Sequence, residues 1–141
     1  MSAFADTSAL VRLYVAEPGH RDVRVLGEPL LVSQLGRVEV PAAFWLKHRI
    51  GELPPVEAAG LVATFETDWH GDRFAVVLPS AEVLEAAARL VGVHGLRAYD
   101  GVQLATALVA RIADPDCRTF VAFDDDLRAA AAAEGFTVSA S

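Results

Sequence analysis

The chain has 141 residues, of which 53% are hydrophobic and 22% are charged, a composition that excludes a disordered protein. No apolar run approaches the roughly 20 residues that span a bilayer, so we expect no membrane segment. The formal charge of −7, with Lys47 as the only lysine, excludes a general attraction to nucleic acid, because phosphates are bound largely by cations. A chain of this charge that acts on nucleic acid needs local basic residues, a bound metal or a partner.

The first residues and the cysteine content indicate the compartment. The stretch MSAFADTSAL has no basic segment ahead of an apolar one, so we do not expect a signal peptide. Cys117 is the only cysteine and has no histidine or cysteine at ligand spacing nearby, so neither a disulfide nor a zinc site is expected. These features predict a cytoplasmic protein.

Strand-length apolar runs alternate with longer helical patterns along the chain. The predicted strands are Ser2–Ala5, Pro29–Ser33, Arg73–Leu78, Arg118–Phe123 and Gly135–Ala140. The predicted helices are Thr7–Ala16, Gln34–Gly51, Val56–Trp69, Ala81–Val91, Arg97–Ala113 and Leu127–Glu134. This alternation predicts one α/β domain over residues 1–141 with a mainly parallel central sheet. Ligands of such folds bind beyond the carboxyl ends of the strands, so functional residues are expected there.

Two aspartates each follow a predicted strand. Asp6 comes directly after the first strand and Asp124 after the fourth, at the start of the triplet DDD. Either residue is also a good helix N-cap, although Thr7 and Ser8 would cap the first helix equally well. Of the triplet, one acid is expected to cap and Asp125 to be solvated or capping.

Glu39 lies on a predicted helix. In a regular helix it shares one face with Leu35, Ala42 and Leu46, so a carboxylate occupies a position where the pattern favours an apolar residue. A solvated surface glutamate is the alternative. Pro41 makes the register across the helix uncertain, because a proline inside a helix removes a hydrogen bond and introduces a kink.

Asp100 stands near the start of another predicted helix. It precedes Leu104 by one turn, which places it toward the apolar side. It is equally consistent with a first-turn acid favoured by the helix dipole or with an ion pair to Arg97. If these acids converge, their repulsion favours a hard divalent cation, and oxygen-only ligands suit Mg²⁺ or Mn²⁺.

Four stretches together resemble the PIN-domain family, specifically the VapC-type ribonuclease toxins of VapBC toxin–antitoxin modules. They are ADTSALVRLYVAEPG, VSQLGRVEVPAAF, HGLRAYDGVQLATAL and FVAFDDDLRAAAAAEGF, in the family's order and spanning nearly the whole chain. The last two stretches are the most specific. In the third, an Asp is followed by xxxLATAL, and in the fourth, Asp-x-x-Leu begins a predicted helix that ends in AEGF.

This resemblance implies a three-layer α/β/α PIN fold and a Mg²⁺- or Mn²⁺-dependent endoribonuclease, the toxin of a type II toxin–antitoxin system. It further implies an RNA substrate, a homodimer and inhibition by a small VapB-like antitoxin. Carried over by position, the family's catalytic acids are Asp6, Glu39, Asp100 and Asp124. Of these, Asp6, Asp100 and Asp124 are expected to hold the metal, directly or through water. Glu39 is expected to be a ligand or to deprotonate the attacking water.

Other residues are expected to assist these acids. Ser8 matches the small hydroxyl residue that supports the metal site, and Asp126 is a candidate additional acid near the metal. Arg12 and Arg97 flank the proposed acids and are the candidates for binding RNA, although each is also explained as an ordinary solvated side chain. Phe65 and Trp69, one helical turn apart, are candidates for a groove that receives an antitoxin helix.

The chain also departs from the family pattern. Ala122 stands two residues before the last acid, where the family commonly has Thr or Ser, and Pro41 after Glu39 is unusual. The alternative function is therefore a catalytically degenerate PIN domain that binds RNA or protein. An aspartyl-phosphate phosphatase and a receiver domain fit poorly. The former needs an acid at position 8, which is Ser8, and the latter needs a late lysine.

Overall fold

The computed structural model describes residues 2–138, and these form a sheet flanked by helices. Among these residues, five strands are paired in the order β3-β2-β1-β4-β5, and each neighbouring pair is parallel. The strands are β1 Ser2–Ala5, β2 Leu30–Ser33, β3 Phe74–Val77, β4 Cys117–Val121 and β5 Thr137–Val138. The predicted α/β fold with a mainly parallel sheet is confirmed. The last two residues of the fifth predicted strand lie outside the described part of the chain.

Seven helices connect the strands within residues 2–138. They are α1 Thr7–Val11, α2 His20–Arg24, α3 Gly36–Arg49, α4 Pro55–Trp69, α5 Ala81–His94, α6 Ala98–Ala113 and α7 Asp125–Ala133. α1 is shorter than predicted because the amides of Arg12 and Leu13 bond to the carbonyls three residues back, which tightens and ends the helix. The sequence did not predict α2, which has only five residues and buries only Val23. None of the helices in the described part of the chain is long and apolar enough to cross a membrane.

The core lies in two layers, one on each face of the sheet. Along β1, Ala3 and Ala5 belong to one cluster, while Phe4 between them belongs to the other, as expected for alternating strand residues. The first cluster packs under α1, α3 and α4, and the second under α5, α6 and α7. The predicted three-layer arrangement is therefore confirmed.

The register of α3 differs from the predicted one. Its core face is formed by Gly36, Val40 and Phe44, whereas Leu46 from the predicted apolar stripe is 50% exposed. The helix is continuous through Pro41, and a Cβ at Gly36 would lie 3.3 Å from Leu10. This small residue allows a close approach to α1 on one face, which leaves the face that carries Glu39 turned away from the core.

α4 does not offer the predicted docking groove. Phe65 is fully buried, with its ring 5.9 Å from that of Tyr14 and 5.6 Å from that of Trp69. Its spacing from Trp69 therefore reflects core packing beneath the helix, and that part of the antitoxin hypothesis was wrong.

Candidate active site

The order of the strands places a crevice at the carboxyl end of β1. β1 lies between β2 and β4. The connection after β1 leads to β2 on one side, and the connection after β4 leads to β5 on the other, so the two connections diverge between β1 and β4. Such a reversal opens a binding crevice between two parallel strands. The amide of Asp6 donates to the carbonyl of Val121 at 3.1 Å, which joins the end of β1 to the end of β4. Asp6 therefore lies at the same sheet edge as the loop that leads to Asp124.

Asp6 is buried, with 5% of its surface exposed, and it is itself the N-cap of α1. Its Oδ1 accepts hydrogen bonds from the amide of Ala9 at 3.0 Å and from Oγ of Ser8 at 2.7 Å. Oγ of Ser8 in turn accepts from the amide of Phe123 at 3.1 Å. The cap is thus Asp6 and not Thr7 or Ser8, and Ser8 connects the Asp6 carboxylate to the end of β4. Both bonds use Oδ1, and Asp6 is part of the lining of the cavity described below.

The protonation of Asp6 is strongly perturbed. Burial raises the pKa of its carboxyl to about 7, against the opposing hydrogen bonds from Ser8 and Ala9, and the nearby carboxylates of Asp100 and Glu39 raise it further. Burial also raises the pKa of Glu39, and Asp100 adds to that effect. A group of acids that raises the pKa values of its own members is stabilised by added positive charge.

Glu39 is held by residues from two other helices. Its Oε1 accepts from Oγ1 of Thr7 at 3.0 Å and from Nε2 of Gln103 at 3.0 Å. Gln103 lies on α6 with 3% of its surface exposed, and sequence reasoning did not identify it or Thr7. The available sign in the sequence was Gln103 itself, a polar residue three positions after Asp100 on a helix face whose buried residues are mainly apolar or small.

Asp100 and Asp124 meet at Arg97. Nη2 of Arg97 lies 3.1 Å from Oδ2 of Asp100 and 4.0 Å from Oδ1 of Asp124. Asp124 caps α7, since its Oδ2 accepts from the amide of Leu127 at 2.9 Å. Asp125 beside it has a 96% exposed side chain, so the solvated alternative holds for that residue.

All four proposed acids border one cavity of about 560 Å³. Its lining also includes Thr7, Ser8, Val11, Arg12, Glu17, Ala43, Leu46, Lys47, Ile50, Glu52, Arg97 and Gln103. The helix face of α3 that was predicted to face the core forms part of the cavity wall instead, because Glu39 and Leu46 line the cavity. Asp126 is exposed and borders a smaller neighbouring depression with Asp100, Asp124 and Arg97, outside this cavity.

The two cations deep in the cavity are already engaged. The guanidinium of Arg12 lies 3.9 Å from the centre of the Phe123 ring, donates to the carbonyls of Pro18 and Ser8, and pairs with Glu17 at 3.5 Å. Lys47 forms salt bridges with Glu17 and Glu52. Arg12 is thus bound within the protein, whereas the Arg97 side chain is 81% exposed.

The donor chemistry of the cavity fits a hard divalent cation. Asp6, Glu39, Asp100 and Asp124 supply oxygen donors at one end of the cavity, and burial together with the neighbouring carboxylates raises the pKa of Asp6. The Oε1 atom of Gln103 is buried and accepts no hydrogen bond from the described residues. Among residues 2–138, no three His, Cys, Asp or Glu side chains lie close enough together to hold a metal ion by themselves. The residues therefore fit Mg²⁺ or Mn²⁺ by chemistry and charge, with water to complete the coordination.

Comparison with known proteins identifies the family. The PIN domain family model matches residues 3–133, so this chain belongs to the PIN domain family. The crystal structure of Mycobacterium tuberculosis VapC20, a toxin that cleaves the sarcin–ricin loop, superposes with a TM-score of 0.63. The two chains are 21% identical over 96% of each, a likeness that shows a shared fold. No curated protein sequence matches this chain.

Proposed function

We propose that this protein is a metal-dependent endoribonuclease and the toxin of a type II toxin–antitoxin pair. The observation that carries the proposal is the convergence of Asp6, Glu39, Asp100 and Asp124 on one cavity at the strand-order reversal of the sheet. Two of these acids come from strand ends and two from helices, and together they supply oxygen ligands and a proton acceptor. Membership in the PIN domain family and the fold of the sarcin–ricin loop cleaving toxin support the same assignment.

In this proposal the chain divides the work among its acids. A bound Mg²⁺ or Mn²⁺ would supply Lewis acidity that activates water and offsets the charge on the phosphate. Asp6, Asp100 and Asp124 would hold the ion. Glu39 has Oε1 fixed by Thr7 and Gln103, so Oε2 is the atom available to accept a proton. The raised pKa of Glu39 makes it a better proton acceptor than a solvated glutamate.

The proposed partners follow from charge and family. An acidic cavity whose two inner cations are paired is complementary to a basic segment of a small VapB-like antitoxin. We further propose that residues 1–141 form one domain that acts as a homodimer.

The test is cleavage of end-labelled RNA by protein purified free of antitoxin, with Mg²⁺, Mn²⁺ or EDTA. One substrate should carry a sarcin–ricin stem-loop and another should be unstructured. We expect metal-dependent products that end in 5′-phosphate and 3′-hydroxyl. Asp6→Asn should be inactive but folded, and the matched variant Asp125→Asn, which changes an exposed acid, should remain active.

Two outcomes would contradict this function. Cleavage that persists in EDTA or in Asp6→Asn would remove the metal-binding acids from the mechanism. RNA binding without cleavage by wild-type protein in either metal would establish the alternative, a degenerate PIN domain that acts as a binding module.

A further inference from the structure

Tyr99 presents an aromatic ring beside the carboxylate cavity. It is the second residue of α6 and is 64% exposed. Within residues 2–138 its ring makes no stacking or cation–π contact and its hydroxyl makes no hydrogen bond. It borders a small depression of about 250 Å³ with Glu39, Arg97 and Asp100, and two of these are proposed catalytic acids.

The position of this ring distinguishes it from Ile112, the other exposed large hydrophobic side chain of α6. Ile112 is 75% exposed on the same helix, but it lies in the last turn, at the far end from the acids. Tyr99 is the direct neighbour of Asp100, and the exposed guanidinium of Arg97 lies on the same depression. An aromatic face and a cation therefore stand together at the mouth of the cavity.

Arg97 is the most exposed of the three cations that line the cavity. Inside the cavity, Arg12 and Lys47 have side chains only 15% and 17% exposed, and both pair with Glu17. In a chain of net charge −7, attraction to phosphate at this site depends on an exposed cation, and Arg97, although it pairs with Asp100, is 81% exposed. Proteins that bind unpaired RNA combine such cations with aromatic rings on which bases stack.

We propose that Tyr99 is a stacking platform for an unpaired base next to the phosphodiester that is cut, while Arg97 contacts a neighbouring phosphate. This inference rests on the proposed ribonuclease function and names the form of its substrate as unpaired RNA. Tyr99 is a positioning residue here, because it would hold the nucleotide and leave the proton transfer to the acids. Stacking depends on the ring and not on the hydroxyl, so phenylalanine should replace Tyr99 without loss.

The experiment measures binding without cleavage. In the Asp6→Asn background with Mg²⁺, fluorescence anisotropy would follow a labelled short oligoadenylate and a matched oligomer that lacks bases. Tyr99→Ala should weaken binding of the oligoadenylate about 10-fold. Tyr99→Phe should bind within about twofold of the parent, since stacking tolerates loss of the hydroxyl. Ile112→Ala is the matched control on the same helix and should bind like the parent. The oligomer without bases should bind the parent and Tyr99→Ala equally.

Cleavage kinetics provide a second test of the role of Tyr99. With Asp6 intact, Tyr99→Ala should raise KM more than it lowers kcat, as expected for lost binding of substrate. Unchanged oligoadenylate binding by Tyr99→Ala would overturn the inference. A loss of binding that accompanies a changed molecular mass in solution would also overturn it, because the ring would then serve contact between copies. Absence of cleavage by wild-type protein would instead contradict the proposed function, and the binding series would still decide the role of Tyr99.

Discussion

The side-chain amide of Gln103 donates a hydrogen bond of 3.0 Å to Oε1 of Glu39, across 64 positions of the chain. Thr7 donates to the same oxygen at 3.0 Å, so residues of α6 and α1 fix a carboxylate that belongs to α3. Because Gln103 is 3% exposed, water has little access to replace it as the donor. The orientation of Glu39 is therefore set by the packing of three helices.

Replacement of Gln103 by leucine should lower kcat about 10- to 100-fold, the range typical for loss of a residue that orients the side chains of a metal site. Leucine has a similar volume but no donor, so Glu39 would keep only the bond from Thr7. Cleavage assays and thermal unfolding would be measured together. Thr106→Val is the matched control, because Thr106 is fully buried on α6 but bonds to the carbonyl of Val102 in its own helix. Equal losses of activity in both variants would assign the effect to core disruption.

Removal of the Asp6 charge should stabilise the protein in the absence of metal. The pKa of Asp6 is about 7 in the folded state and 3.8 in a solvated chain, so the folded state binds the proton more tightly. The wild-type free energy of unfolding should therefore fall as pH rises from about 4 through 7, and Asp6→Asn should lack this loss. At pH 8 in EDTA we expect Asp6→Asn to be more stable by at least about 1 kcal/mol, since each pKa unit is worth about 1.4 kcal/mol.

Asp6→Asn should keep the N-cap of α1, because asparagine caps a helix as well as aspartate does. Urea unfolding at pH 5 and pH 8 would provide the free energies, with Asp125→Asn as the control for an exposed acid. Added Mg²⁺ should stabilise wild-type protein more than Asp6→Asn. If Asp6→Asn is less stable than wild type to the same extent at both pH values, the Asp6 carboxylate acts as a structural helix cap, and its ionisation does not destabilise the folded protein.

The sequence predicted most of the fold because its strands are short apolar runs and its longer helices have clear periodicity. β2 and α6 were placed within a residue of their observed bounds. The sequence did not predict α2 because a helix of five residues with one buried side chain is too short to show a hydrophobic periodicity. α1 was predicted too long because apolar residues continue beyond Val11, while the backbone tightens there into a turn.

The site was predictable to the extent that parallel sheets place strand ends together. That rule predicts that Asp6 and Asp124 lie at one edge of the sheet. The register of α3 was not predictable, because the choice between its two semi-apolar faces depends on the close approach of Gly36 to Leu10. The bonds of Thr7 and Gln103 to Glu39 join elements distant in sequence, and local periodicity contains no information on such contacts.

The two arginines proposed to bind RNA should behave differently when changed. Arg97→Gln removes an exposed cation, so RNA binding should weaken and the slope of log K against log salt should fall by about 1. Arg12→Gln should leave that slope unchanged and reduce the free energy of unfolding by about 1–3 kcal/mol. Its guanidinium packs on Phe123 and donates to two backbone carbonyls, which would lose their partner. A reduced salt slope in Arg12→Gln at unchanged stability would restore Arg12 as an RNA contact.

Gly101 sets the distance between α5 and the start of α6, and with it the position of Asp100. A Cβ at this position would lie 2.5 Å from Cγ1 of Val91, so either the Val91 side chain must move or the helices must separate to accept a side chain. Gly101→Ala should therefore lower the free energy of unfolding by about 1–3 kcal/mol, the usual cost of overpacking, and should also reduce cleavage.

Two further variants separate this steric effect from the general effect of alanine in a helix. Gly92→Ala on α5 meets no atom within 4 Å, so it should be neutral or stabilising by up to about 1 kcal/mol. Val91→Ala removes the atom that a Cβ at position 101 would strike, so Gly101→Ala with Val91→Ala should recover cleavage relative to Gly101→Ala alone. Thermal unfolding and cleavage rates of the single and double variants form a double-mutant cycle. A purely additive cycle would show that Val91 and Gly101 do not jointly position Asp100.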